Sequence, residues 1–121
     1  MIKNLRPFHL AIPVSDLKKA KEFYTNLLGC SIGRSSDTWI DLNFYGHQLV
    51  IHLSDVKIKE SHNDVDLHSV PIPHFGIILD WKEWEKIAKK LEKKLNFIIE
   101  PHIRFKNEVG EQGTMFFKDN D

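Results

Sequence analysis

The feature that most limits what this chain can fold into is a repeated opening. Residues 5–16 read "LRPFHLAIPVSD" and residues 70–80 read "VPIPHFGIILD". Each places a histidine before a short apolar run and ends at an aspartate that starts an amphipathic pattern. Two β–α openings in one chain of 121 residues imply a duplicated unit rather than two unrelated domains. The order of elements carries this inference more than the residue identities do. His9 and His74 hold the same place in the two copies.

In "FHLAIPV", Phe8, Leu10, Ile12 and Val14 alternate with His9, Ala11 and Pro13, as in a strand with one buried face. Pro13 lacks a ladder donor and belongs near a strand end or edge. Ser15 or Asp16 can cap the helix "DLKKAKEFYTNLLG", with Gly29 as its stop. Three short strands are expected next, at about 30–34, 38–45 and 47–53, with Tyr45–Gly46 turning between the last two. Residues 55–72 are polar and weakly periodic, and read as a connecting loop. The second copy then opens with "HFGIILD" as a strand. Asp80 and Glu83 form a capping-box pattern ahead of the helix "WKEWEKIAKKLEKKL". Trp81, Trp84, Ile87, Ala88, Leu91 and Leu95 lie on one stripe of that helix, and Asn96 can end it. "FIIEPHIRF" and "TMFFK" are extended. The expected architecture is α+β, two paired βαβββ modules forming a curved mixed sheet. The first module covers 5–54 and the second 73–121, within one domain of residues 1–121. The second has no counterpart of "HQLVIHL" before the sequence ends at "FKDND".

Charge excludes one class of partner. Seventeen basic and seventeen acidic residues leave a net charge of +0, so no global attraction to nucleic acid or to an anionic membrane follows. No apolar run approaches a membrane span, and the N-terminus lacks a signal-peptide core. Cys30 is the only cysteine, which excludes an internal disulfide and a Cys-rich metal site. A cytoplasmic location is the expectation.

Seven histidines then ask which of them share a face. Period-2 alternation turns His9 and Ala11 away from the helix, and likewise His74 and Gly76. In "HQLVIHL" it sets Gln48, Val50 and His52 opposite Leu49, Ile51 and Leu53. In "TWIDLNFY" it sets Trp39, Asp41, Asn43 and Tyr45 opposite Ile40, Leu42 and Phe44. A sheet with one wet face accounts for this pattern. So does a concave sheet whose inner face carries His9, His52 and His74, with Ala11 and Gly76 leaving room beside them. Imidazoles so placed suit iron, nickel, zinc or manganese.

"FHLAIPVSDLKKAKEFYTNLLG", "GHQLVIHL", "IPHFGIILD" and "GTMFFKDND" together resemble the vicinal oxygen chelate superfamily. That superfamily includes glyoxalase I, extradiol dioxygenases, and bleomycin- and fosfomycin-resistance proteins. The resemblance spans nearly the whole chain and is nearest to small glyoxalase- or dioxygenase-like bacterial members. It implies a divalent metal ion held by the first strand of each module, hence by His9 and His74. It places a further ligand on the last strand of the first module, where this chain has His52 in place of the family's glutamate. His52 is expected to serve as ligand or as catalytic base. The family's last glutamate follows a "D-x-x-G-N" turn, and this sequence ends at "KDND" before it.

The implied activity is a glyoxalase- or dioxygenase-like reaction on a small substrate with adjacent oxygens, the metal acting as Lewis acid. Asp41, Asn43, Gln48, His102 and Arg104 are the expected substrate contacts. A homodimer is expected, since an exposed edge beside the first strand can pair with another copy. The alternative is a metal-free protein of the bleomycin-resistance type that sequesters a small ligand.

Overall fold

The computed structural model describes residues 5–65, 67–104 and 112–119. The chain divides into two compact units. One comprises Met1–Ile58 with Asp119–Asp121, and the other Lys59–Lys118.

The first unit is a βαβββ module. Strands β1 (His9–Val14), β2 (Ser31–Ser35), β3 (Trp39–Phe44) and β4 (His47–Leu53) form a sheet of order β1-β4-β3-β2. The sheet is mixed, because β1 runs parallel to β4 while β4, β3 and β2 are antiparallel neighbours. Helix α1 (Leu17–Glu22) begins where Asp16 accepts a hydrogen bond from the Lys19 N–H. It continues into a π-helical segment, Phe23–Leu27, and stops at Gly29, whose φ of +76° suits glycine. The buried face follows alternation with two departures on β4: Val50, on the other face, is also buried, and Leu53 is 46% exposed. Val14, Ala20, Ile40, Leu42, Leu49 and Ile51 are all at most 6% exposed. Burying each large aliphatic side chain contributes about 1.5–3 kcal/mol. Tyr24 joins this core, and its hydroxyl donates to the Asp119 carboxylate at 2.6 Å. Phe8 departs from the expectation. It precedes the strand and is 65% exposed, its N–H donating to His47 Nδ1 at 2.8 Å.

The second unit differs more from its sequence pattern. Residues 55–72, expected to be a loop, contain a hairpin of β5 (Ser61–Val65) and β6 (His68–Ile72). β5 is polar and fully exposed, so hydropathy carries no signal for it, while Val70 of β6 is buried. The turn is made by Leu67 at φ +69°. Residues 74–80, expected to be a strand, form none, and Ile78 is 98% exposed. In the first unit β1 obtains its ladder from β4. The described residues of the second unit contain no strand in the position of β4, so the matching segment has no ladder.

Helix α2 (Trp81–Glu92) starts at Asp80, whose side chain accepts from the Glu83 N–H at 2.9 Å. The adjoining Asp80 carboxyl pushes the Glu83 carboxyl above its ordinary pKa. The helix ends at Glu92 with Lys93 as cap, short of Asn96. Ala88 and Leu91 are buried, whereas Trp81 is 43% exposed. Strands β7 (Phe97–Arg104) and β8 (Gln112–Phe117) make an antiparallel pair. The Trp84 indole packs on β8 at Gly113, where a Cβ would lie 2.8 Å from the ring.

Candidate functional site

Strand register gathers five of the expected site residues on one face of the first-unit sheet. His9 pairs with Gln48 and Pro13 with His52 across β1 and β4. Asn43 pairs with Gln48, Asp41 with Val50, and Trp39 with His52 across β3 and β4. Paired residues project to the same side of a sheet, and alternation keeps i and i+2 together. His9, Asp41, Asn43, Gln48 and His52 therefore share the face opposite the buried Leu42, Leu49 and Ile51. His9, Asn43, Gln48 and His52 are exposed and Asp41 is half-buried.

Local hydrogen bonds polarise this face. His9 Nδ1–H donates to Gln48 Oε1 at 2.9 Å, because an amide oxygen can only accept. That leaves His9 Nε2 with a lone pair and the Gln48 amide NH2 outward. Asn43 Oδ1 accepts from the Gly46 N–H at 2.7 Å, so its NH2 is likewise free to donate. A histidine acceptor and two amide donors thus stand side by side at one end of the face.

His52 stands elsewhere. Register sets it against Pro13, four residues beyond His9 along β1, which corresponds to about 13 Å at the rise of a strand. A metal–imidazole bond is about 2.0–2.1 Å long, so the register does not bring His9 and His52 to one ion. The side chain beside His9 is Gln48. Sequence reasoning named Gln48 only as a substrate contact. The missing signal was the offset of a parallel pair, which alternation alone does not supply.

In the second unit, His74 Nδ1–H donates to the Pro71 carbonyl at 2.7 Å. The Phe116 ring meets the His74 imidazole edge-on at a centroid distance of 5.0 Å. This too leaves Nε2 with a free lone pair, the arrangement in which a backbone carbonyl orients a histidine ligand. His102 Nδ1–H donates to the Glu100 carbonyl at 2.9 Å, and its ring lies 5.0 Å from that of His68. His102 lines a groove of about 510 Å³ between α2 and β7, with Trp84, Glu85, Ala88, Lys89 and Pro101. Arg104 ends β7 opposite Gln112, and its side chain lies outside the described residues.

Beside β5, Glu60 accepts from Lys118 Nζ at 3.2 Å and from His62 Nε2 at 2.8 Å. These bonds, Lys118 first, hold the Glu60 carboxyl below its ordinary pKa.

The imidazoles of His9 and His74 have the chemistry of metal ligands. Among the described residues, however, no group of three or more His, Cys, Asp or Glu side chains is placed to hold a metal ion. The described residues therefore define no complete ligand set.

Residues 6–121 match the family described as the Glyoxalase/Bleomycin resistance protein/Dioxygenase superfamily. A comparison with curated proteins gives no match. Among solved structures, the chain is similar to a glyoxalase/bleomycin resistance protein/dioxygenase from Alicyclobacillus acidocaldarius. The identity is 34%, over 99% of this chain and 87% of that one, with a TM-score of 0.77. It also shares its fold with an integron cassette protein from the mobile metagenome of V. cholerae, at 20% identity over 100% of this chain and 91% of that one, TM-score 0.66. A further fold match is the genomically encoded fosfomycin resistance protein FosX from Listeria monocytogenes, at 17% identity over 99% and 88%, TM-score 0.67. The chain belongs to the Glyoxalase/Bleomycin resistance protein/Dioxygenase superfamily.

Proposed function

We propose that this protein binds a small oxygen-bearing molecule on the open face of its first-unit sheet, without a resident metal, in the manner of the bleomycin-resistance branch of its family. The observation that carries this reading is the polarised trio His9, Gln48 and Asn43. Two outward NH2 groups and one imidazole lone pair form a preset pattern for hydroxyl and carbonyl groups. Fixed polar groups of this kind orient a ligand and set its specificity. Asp41, further along the same face, adds an acceptor for a ligand hydroxyl. The groove at His102 is the less suited of the two, because Glu85 and Lys89 offer opposite charges without a matching set of fixed donors.

A second reading rests on a separate observation. His9 and His74 each hold Nδ1–H in a hydrogen bond, which makes Nε2 the lone-pair nitrogen of the neutral ring. Such imidazoles suit iron, nickel, zinc or manganese, as in a glyoxalase- or dioxygenase-like enzyme.

One experiment separates the two. Protein stripped with EDTA and untreated protein are screened by ligand-observed NMR against hydroxylated and carbonyl-bearing fragments, and metal content is measured after dialysis. The ligand-binding reading expects the same fragments to bind both samples and binding to weaken about tenfold in Gln48→Ala. Near-stoichiometric metal, lost in both His9→Ala and His74→Ala, with fragment binding only to the metal-loaded form, overturns it in favour of the enzyme.

A further inference from the structure

The far end of the same sheet face carries a cation that the strand pattern would have placed on the other side. Ile32 of β2 pairs with Leu42, and Ser35 pairs with Ile40. Between these pairs, two residues of β2, Gly33 and Arg34, oppose the single residue Asp41. This is a β-bulge, a device that re-aims a side chain. Without the extra residue, Arg34 would follow Ile32 onto the face of the buried Leu42 and Ile40. With it, Arg34 turns to the open face, where its guanidinium carbon lies 5.6 Å from the centroid of the Trp39 ring.

Trp39 pairs with His52, so Arg34, Trp39 and His52 form a corner of the face that carries His9, Gln48 and Asn43. Among the described residues Arg34 makes no ion pair. Among the described residues the face has one carboxylate, Asp41, which opposes Gly33 and Arg34 across the strands and stands two residues from Trp39 along β3, or about 7 Å; the Arg34 guanidinium is not ion-paired with it and reaches over Trp39 instead. Asp41 would repel a second negative group at the middle of the face. The Arg34 corner is the place where a negative group gains from charge, and a guanidinium suits an oxyanion in two-point contact.

We propose that the ligand of this face is an anion and that its carboxylate or phosphate-like group is recognised by Arg34, held over Trp39 beside His52. This rests on the ligand-binding reading above and adds the substrate class to it. The β2 bulge is then a specificity device. It supplies the charge, while Gln48 and Asn43, about 13 Å away along the strands, supply uncharged hydrogen bonds. Arg34 is a binding residue and acts in no bond-making step.

The test is a titration of uniformly 15N-labelled protein with benzoate, with inorganic phosphate, and with benzamide as the neutral isostere of benzoate, each at constant ionic strength. The proposal expects benzoate and phosphate to shift the Trp39 indole N–H and the His52 amide in a saturable way. It expects benzamide to bind at least tenfold more weakly at that corner. Arg34→Gln should lose at least tenfold in benzoate affinity, and Arg34→Lys should recover part of it. Unchanged dispersion of the Arg34→Gln spectrum shows that the variant is folded. If benzoate shifts only the Gln48 and Asn43 side-chain amides, and Arg34→Gln leaves this untouched, the Arg34 assignment is overturned while the ligand-binding face stands. If all three probes shift residues of this face equally in wild type and Arg34→Gln, the anion class is overturned. If none of the three shifts any residue of the face, and the fragment screen is also empty, both readings fall.

Discussion

At the scale of single residues, contact geometry decides which side chains can change. Gly113 has no room for a methyl group, because its Cβ would lie 2.8 Å from three atoms of the Trp84 indole. A methyl group there forces the indole or the strand to shift. Gly113→Ala is expected to destabilise the protein by about 1–3 kcal/mol, the range for overpacking, as read from urea unfolding. The paired variant Gly113→Ala/Trp84→Leu should regain part of the loss. At the same scale, Gln48 shows how a site residue is legible in kind but not in role. Alternation put it on the open face with His9. Only the register revealed that the two are hydrogen-bonded neighbours and that His52 is not.

At the scale of elements, the first unit was readable because hydrophobic alternation, the Asp16 cap and the Gly29 stop all point to one arrangement. The second unit was less readable for two physical reasons. In the β5–β6 hairpin β5 is polar and exposed, so its pairing to β6 rests on backbone hydrogen bonds that hydropathy does not register. The segment 74–80 has a strand pattern but no pairing neighbour among the described residues, and a pattern without a ladder makes no strand. The hairpin also carries a local cost. Leu67 sits in the left-handed region at φ +69°, with its side chain fully exposed. That conformation costs a residue with a Cβ about 1–2 kcal/mol, and no packing is lost on removing the side chain. Leu67→Gly should therefore raise stability by up to about 1 kcal/mol, seen as a higher midpoint in thermal unfolding. A lower midpoint would overturn this account of strain at Leu67.

At the scale of the whole molecule, the buried Cys30 links stability to pH. Burial pushes its thiol from 9.0 up to about 11. A group whose folded pKa is raised contributes fully below its unfolded pKa, and that contribution is lost as pH rises toward the folded value. Stability should thus be level up to about pH 9 and fall between about 9 and 11, by about 2 kcal/mol if this group acts alone. Cys30→Ala should flatten that part of the profile in denaturant unfolding. The thiol should also react slowly with a thiol reagent at pH 8 while the protein is folded, since the thiolate is the reactive form. Among the described residues no helix is long and apolar enough to cross a membrane. The pI near 7.1 leaves little net charge at neutral pH to keep copies apart.

With so little net repulsion, the rims of the first-unit sheet matter for whether copies stick together. An unfinished strand edge is an invitation to another chain, and proteins commonly answer it with a proline, a bulge or a charge. The β2 rim has two of these in adjacent residues, the Gly33–Arg34 irregularity and the guanidinium itself. The β1 rim has Pro13, which has no N–H to offer. The kink that turns Arg34 toward a ligand therefore also spoils β2 as a template for fibre-like stacking, so one insertion in one strand serves recognition and colloidal safety together.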